Sequence, residues 1–142
     1  MIESATDRDL PEIRALLERV HLPLAGVSEH LATMLVAREG GHIVGTAALE
    51  LYADGALLRS VAVDPDRQGQ QLGHELTGAA LQLATTRAVT TVFLLTTTAQ
   101  RFFPKFGFEQ IAREHVPQSV QASVEFQSAC PESAIVMRKQ LR

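Results

Sequence analysis

The sequence contains a single cysteine, Cys130, among 142 residues. One cysteine excludes an internal disulfide bond, and disulfides are rare where thiols are kept reduced. No apolar run approaches the roughly 20 residues that a membrane-spanning helix needs. The first ten residues lack the basic segment followed by an apolar segment that marks a secretory signal. We therefore expect a cytoplasmic protein without a membrane partner.

An excess of positive charge is also missing. The chain has 13 Lys and Arg against 16 Asp and Glu, a net charge of −3 and a pI near 5.9. Because nucleic-acid and anionic-membrane binding need a basic surface, we expect neither partner. Internal repeats and linkers are absent as well, and 142 residues with 46% hydrophobic content suit one core. We expect one domain, residues 1–142.

What the sequence does contain is a strand, a glycine loop and a helix in succession. An apolar run over residues 57–63 ends at Asp64-Pro65, since proline cannot donate a sheet hydrogen bond. A polar loop with Gly69 and Gly73 follows. One helix face is then formed, at spacings of three and four, by Leu72, Leu76, Ala79, Ala80, Leu83 and Ala84. The first turn of a helix has unpaired amides and partial positive charge, so this loop is predicted to bind an anion.

The rest of the chain predicts further strands around this unit. Strands are expected over residues 1–5, 31–37, 43–51, 57–63, 91–95, from 107 onward, and 133–138. Glu-Gly-Gly-His at 39–42 predicts a tight hairpin turn. The helix from residue 72 joins two strands, 57–63 and 91–95, which should therefore be parallel neighbours.

Other segments predict helices. Pro11 suits the first turn of a helix whose apolar face is Leu10, Ile13, Leu16, Leu17 and Val20. Residues 96–106 look helical, although Pro104 should shorten or kink that helix. The type of residues 116–129 stays open, with a helix from Pro117 as one alternative. The sum is an α/β fold, a mixed sheet that starts antiparallel and is parallel in its middle.

The central stretch resembles the acetyl-CoA-binding motif of the GNAT superfamily of N-acetyltransferases. Its letters are V-A-V-D-P-D-R-Q-G-Q-Q-L-G-H-E-L, against a consensus of Gln/Arg-x-x-Gly-x-Gly/Ala. Gln68 takes the first position and Gly73 the last, while Gln71 replaces the middle glycine. R-F-F-P-K-F-G-F, residues 101–108, is similar to a later segment of the same family.

The resemblance implies the GNAT fold, with a splayed parallel strand pair, and acetyl-CoA as co-substrate without a metal. The implied cofactor contacts are Val61, Ala62, Val63, Gln68, Gly69, Gln70, Gln71, Leu72, Gly73, His74 and Phe103. The first three would act through their backbone atoms, since their side chains belong in the core. Many relatives have a tyrosine as general acid where this chain has Phe103, which cannot donate a proton. Tyr52, the only tyrosine, is a further candidate for that role.

Two residues are predicted catalytic, Glu50 as general base and Arg59 as partner of an oxyanion or substrate carboxylate. Alternative bases are Glu125, His74 and His115. Arg59 has a second reading, a structural pair with Glu50 on the adjoining strand, because a buried guanidinium needs a partner. The predicted substrate contacts are Arg59, Thr97, Arg101 and Ser133.

The C-terminal half is similar to two narrower groups, the acetyltransferases associated with arsenic resistance and the catalytic domain of bacterial N-acetylglutamate synthases. Ser133 matches a serine of the synthases, whereas Pro131 and Glu132 replace basic character that they place before it. These resemblances imply acetylation of a small, amino-acid-like amine, which includes arsenic-containing or other toxic amino acids. The alternatives are an acyl-CoA-binding regulatory domain without turnover and a synthase-like enzyme. The apolar content of residues 120–135 would permit a homodimer.

Overall fold

The computed structural model describes residues 2–69, 71–129 and 133–141. Its strands are β1 (Ile2–Ser4), β2 (Met34–Glu39), β3 (His42–Tyr52), β4 (Gly55–Val63), β5 (Thr91–Thr96), β6 (Glu109–Ile111) and β7 (Ile135–Gln140). They form one sheet in the order β1-β2-β3-β4-β5-β7-β6. Every neighbouring pair is antiparallel except β4 and β5, which are parallel. The mixed sheet predicted from the sequence is confirmed.

The helices are α1 (Leu10–Arg19), α2 (Leu72–Thr86) and α3 (Gln118–Gln121). Short 3₁₀ turns lie at Asp7–Asp9, Ser28–Thr33, Pro65–Arg67, Phe103–Phe106 and Arg113–His115, and a π turn lies at Glu125–Ala129. Within the described ranges, none of the helices combines the length and the apolar character that crossing a bilayer requires.

The two long helices lie on opposite faces of the sheet. Successive residues of a strand point to opposite sides, and neighbouring residues of β3 pack with different helices. α1 buries Ile13, Leu16 and Leu17, which belong to the predicted face. α2 buries Leu76, Thr77, Ala80 and Ala84. Ile43 of β3 packs with the α1 cluster and its neighbour Val44 with the α2 cluster. Each fully buried leucine or isoleucine contributes about 1.5–3 kcal/mol relative to exposure.

The predicted hairpin turn between β2 and β3 is confirmed. Glu39 pairs with His42 across a two-residue turn, and Gly40 and Gly41 have φ of +60° and +81°. Two consecutive left-handed residues match the twist of the flanking strands, and glycine adopts this conformation at least cost.

The strand predicted over residues 31–37 begins later than expected. Ser28–Thr33 is a 3₁₀ turn, and β2 starts at Met34. Leu31 is buried although it lies in the turn, and the Thr33 hydroxyl donates to the carbonyl of Leu49 on β3. A buried apolar side chain in a turn cannot be distinguished from a strand residue by hydrophobicity alone.

The helix predicted over residues 96–106 is wrong, since only Phe103–Phe106 forms a 3₁₀ turn. β5 continues to Thr96, whose hydroxyl accepts a 2.9 Å hydrogen bond from the Ala99 amide. Such side-chain bonds offer the backbone an alternative to a helix. Pro104, which has no amide hydrogen, prevents a longer helix from forming.

α3 begins immediately after Pro117, which settles the type of that part of residues 116–129. Val120 is fully buried and packs against Leu57 of β4 and Phe93 of β5. Apolar side chains that suggested a dimer are therefore used in the core of the chain itself, and a homodimer stays a prediction.

Candidate active site

β4 and β5 pair only at their beginning. The parallel ladder joins Ala56 to Val92 and Leu57 to Phe93, and the strands then separate. A cleft of about 1500 Å³ opens between the separated ends. Beyond Leu57, β4 has no ladder partner on its β5 side in the described ranges, and backbone groups at such an edge need hydrogen-bond partners. The cleft therefore lies where a ligand can bond to the β4 backbone.

A bulge in β4 shapes one wall of this cleft. The pairing of β3 with β4 slips by one residue, so that Ser60 and Val61 together lie opposite Ala47. Ser60 has a φ of +56°, and its carbonyl accepts a 2.7 Å hydrogen bond from Thr46 Oγ1. A left-handed residue other than glycine costs on the order of 1–3 kcal/mol and is enriched at functional sites. The bulge bends β4 at the point where both bulge residues line the cleft.

The glycine loop and the first turn of α2 form another wall. Six residues of this segment line the cleft, Gln68, Gly69, Gln71, Leu72, Gly73 and His74. The sequence predicted all six as cofactor contacts, and a seventh, Gln70, lies outside the described residues. Because the first amides of α2 have no intrahelical partners, this wall presents donors to an anion.

Gln71 occupies the position of the motif's middle glycine. It precedes α2 with φ +64° and ψ 11°, a left-handed conformation that costs about 1–2 kcal/mol except in glycine. We expect Gln71→Gly to raise the free energy of unfolding by about 0.5–1 kcal/mol in urea titration. Gln68→Gly is the control, because Gln68 has φ −68°. Glycine there adds freedom to the unfolded chain and removes the exposed 3.3 Å hydrogen bond from Gln68 Nε2 to the Val63 carbonyl, so we expect it to lower the free energy of unfolding. Gln71→Gly no more stable than Gln68→Gly would contradict this reading.

Arg59 lies at the centre of a buried charge cluster beside the bulge, with a side chain that is 1% exposed. Its Nη1 donates to Glu50 Oε2 at 2.8 Å, and its Nη2 donates to the Pro23 carbonyl at 3.2 Å. Its Nε donates to Ser60 Oγ at 3.2 Å and lies 3.3 Å from Glu125 Oε2. Every guanidinium nitrogen thus has an acceptor, and the structural pair with Glu50 is present.

Glu50 lies behind Arg59 and does not line the cleft. Its side chain is fully buried, the Tyr52 hydroxyl donates to Oε1, and His30 Nε2 lies 3.6 Å from the same oxygen. Burial, and secondly the hydrogen bond to Glu50, raise the pKa of the Tyr52 phenol above its usual range. Glu50 contacts the cleft-lining residue Arg59 but does not itself line the cleft, and its role as general base stays a prediction.

Glu125 is the carboxylate of this cluster that lines the cleft. It begins the π turn after α3, and its side chain is 5% exposed. Of the other predicted bases, His74 lines the cleft at the start of α2, whereas His115 ends a 3₁₀ turn outside the lining. A carboxylate held beside a cation at the edge of a cleft is placed to receive a proton from a bound ligand.

Phe103 lines the cleft while its side chain is largely buried. Its ring meets those of Phe102 and Phe108 edge to face, with centroid distances of 5.1 and 5.8 Å. A hydrocarbon ring has no proton to donate, so this position supplies packing in place of an acid. The three rings hold the segment that follows β5 against the cleft.

Besides Arg59, the cleft is lined by three Lys and Arg side chains, those of Arg67, Arg101 and Lys105. Arg67 pairs with Glu39 at 2.7 Å, and Lys105 Nζ lies 5.8 Å from the centre of the Phe102 ring. Arg101 was predicted from the sequence as a substrate contact, whereas Arg67 and Lys105 were not predicted. A signal for them existed, because Arg67 and Lys105 lie inside the two motif segments, where positive charge adjoins a predicted anion site.

The remaining predicted contacts divide into two groups. Val61, Val63 and Thr97 line the cleft. Ala62 is buried in the α1 cluster and Ser133 is exposed, and neither lines the cleft. Among the residues that the structure describes, no group of three or more His, Cys, Asp or Glu is arranged to hold a metal ion.

A mixed sheet whose one parallel pair opens over a glycine loop is the architecture of the GNAT fold class. The profile of the acetyltransferase (GNAT) domain matches residues 30–110, which include β2 to β5 and the cleft-forming loop. The chain therefore belongs to the GNAT acetyltransferase family.

Known relatives extend this finding. An amino-acid acetyltransferase of Mycobacterium tuberculosis is 31% identical over 121 residues, 78% of this chain and 69% of that protein. An N-acetylglutamate synthase from Neisseria gonorrhoeae, solved with coenzyme A and N-acetyl-glutamate, superposes with a TM-score of 0.86 at 22% identity. That match covers 100% of this chain but 35% of the synthase. A Mycobacterium tuberculosis protein solved with CoA has a TM-score of 0.80 at 24% identity and matches over 100% and 99% of the two chains.

Proposed function

We propose that this protein transfers the acetyl group of acetyl-CoA directly to the primary amine of a small, amino-acid-like acceptor. The observation that carries the proposal is the cleft between β4 and β5, which joins a basic glycine-loop wall to a wall containing Glu125. The relative named amino-acid acetyltransferase and the neighbours solved with coenzyme A support the same reading.

The glycine-loop end of the cleft suits the cofactor. Phosphates of acetyl-CoA would accept hydrogen bonds from the first amides of α2 and face two cations of the lining, Arg67 and Lys105. The pantetheine arm carries amides, which would bond to the β4 edge that lacks a ladder partner. The thioester would then lie at the bulge, beside Ser60 and Val61.

The reaction needs a neutral amine placed against the thioester carbonyl. In our proposal Glu125 accepts one proton of the acceptor ammonium, the amine nitrogen bonds to the carbonyl carbon and gives up a second proton to water, and the carbon–sulfur bond then breaks. Backbone amides at the bulge stabilise the negative charge on the carbonyl oxygen. Because Phe103 has no proton to give, the sulfur leaves as a thiolate and takes its proton from water.

The acceptor carboxylate needs a cation other than Arg59. Arg59 already holds two carboxylates, those of Glu50 and Glu125, so a third would have to displace one of them. Arg101 lines the cleft on the segment after β5, beside Thr97. We propose Arg101 as the partner of the acceptor carboxylate, with Thr97 as a neighbouring polar contact.

The test is thiol release from acetyl-CoA with a panel of free amino acids, toxic and arsenic-containing analogues, and a peptide mixture, against a control without acceptor. We expect release that depends on one class of small amino acid. No release above the control, together with a rise in melting temperature on adding acetyl-CoA, would favour the alternative of a binding domain without turnover. The unusual Gln71 and Phe103 motivate that alternative.

The proposal also includes where the protein acts. The single cysteine in 142 residues supports action in a reducing compartment such as the cytoplasm. We treat residues 1–142 as one catalytic domain, because each of the three apolar clusters packs against the same sheet. An arsenic-containing acceptor remains a prediction that the panel tests directly.

A further inference from the structure

Gly26 lies in the loop between α1 and the 3₁₀ turn that precedes β2, with φ +82°. A Cβ atom at this position would lie 2.8 Å from Arg59 Nη1 and 3.0 Å from Val124 Cγ1. It would also lie 3.6 Å from Glu50 Oε2. The absence of a side chain therefore lets the loop backbone rest directly on the buried ion pair of Arg59 and Glu50.

The same loop forms part of the cleft wall. His21, Leu22 and Pro23 line the cleft, and the Pro23 carbonyl accepts a hydrogen bond from Arg59 Nη2 at 3.2 Å. Glycine at position 26 and the carbonyl at position 23 thus hold the loop against one guanidinium.

That guanidinium also holds Glu125, whose Oε2 lies 3.3 Å from Arg59 Nε. Val124, the residue before it, is the second neighbour that a Cβ at position 26 would meet, at 3.0 Å. A methyl group there would push against Arg59 and against the segment that carries Glu125. Both cleft features that face the acceptor, the loop wall and the carboxylate, depend on this one contact.

We propose that Gly26 is a positioning residue for the acceptor, because it lets the loop of residues 21–27 and the Glu125 segment close together on Arg59. The inference rests on the proposed function of the cleft. The three atoms nearest to a Cβ at position 26 belong to Arg59, Val124 and Glu50, none of which lies in the glycine loop or α2, so the cofactor end of the cleft should not respond to this contact.

The experiment compares Gly26→Ala with Gly41→Ala. Gly41 has φ +81° in the β2–β3 turn, and nothing lies within 4 Å of its virtual Cβ, so both variants carry the same backbone strain and only one carries the contact. We expect Gly26→Ala to raise the acceptor KM about tenfold or more while the acetyl-CoA KM changes less than about twofold. Gly41→Ala should leave both constants within about twofold of wild type. Equal effects of the two variants on the acceptor KM would overturn the proposal.

A second measurement does not depend on turnover. In hydrogen exchange, the hydrogen-bonded amides of Leu22 and Val27 and those of Ser123 and Gln127 should lose protection together in Gly26→Ala and keep it in Gly41→Ala. Protection unchanged in both variants would refute the contact, whereas a wild-type enzyme without acceptor-dependent thiol release would refute the proposed function instead. Arg59→Lys, which keeps the charge but loses the guanidinium fork, is the variant to use if Gly26→Ala does not fold, and should show the same joint loss.

Discussion

Glu125→Gln is expected to lower kcat/KM for the acceptor by about 100-fold or more, the usual contribution of a positioned general base. Glutamine keeps the size of the side chain but cannot take a proton from the ammonium group. Because Glu125 is the carboxylate of the buried cluster that lines the cleft, the loss should fall on the acceptor reaction and leave the acetyl-CoA KM within about twofold. The measurement is the initial rate of thiol release at saturating acetyl-CoA.

Glu114→Gln serves as the matched control, since Glu114 is exposed in a 3₁₀ turn outside the cleft. Its rate should stay within about twofold of wild type. Glu50→Gln identifies the base, because Glu50 lies behind Arg59 and touches the cleft only through it. If Glu125→Gln retains most of its activity and Glu50→Gln loses it, the general base is Glu50 and not Glu125.

Arg59→Leu is expected to lower the free energy of unfolding by about 3–5 kcal/mol, the cost of removing one partner from a buried ion pair. The Glu50 side chain is fully buried, and its 2.8 Å bond to Arg59 would be lost. Glu125 loses the same cation, so two nearly inaccessible carboxylates are left without the guanidinium that they share. Urea unfolding monitored by circular dichroism measures the change.

Arg19→Leu is the control for this stability effect. Arg19 also bonds to a carboxylate at 2.8 Å, that of Asp64, but its side chain is 52% exposed. An exposed pair of this kind contributes about 0–1 kcal/mol. Similar losses from Arg59→Leu and Arg19→Leu would show that the buried cluster is not a stabilising centre and that Glu50 adapts without its cation.

Local signals explain which parts of the fold could be predicted. β4 ends before Asp64-Pro65 because proline has no amide hydrogen to donate to the sheet. The apolar spacing after it indicates α2, which begins at Leu72 as expected. The helix predicted over residues 96–106 failed because a hydrogen bond from the Ala99 amide to the Thr96 hydroxyl and the ring of Pro104 outweigh helical propensity there.

The end of the cleft that contains Arg59 and Glu125 could not be predicted from local patterns. Pro23, Arg59 and Glu125 come from a loop, a strand and a π turn that are distant in sequence, and only the folded chain brings them together. The sequence indicated that Arg59 needs a partner and named Glu50, but the second carboxylate was only one of several candidates. The left-handed conformation of Ser60 has no sequence signal either, since glycine and asparagine are the usual residues there.

The most direct test of the account is a mass balance on the wild-type enzyme with acetyl-CoA and the acceptor that the panel selects. Free thiol is measured by its colour reaction, and the acetylated amine is measured by mass spectrometry in the same samples. We expect the two products to appear in equal amounts, and both to fall together in Glu125→Gln. Thiol released without acetylated amine would mean that water is the acceptor, and would contradict amine transfer in the cleft between β4 and β5.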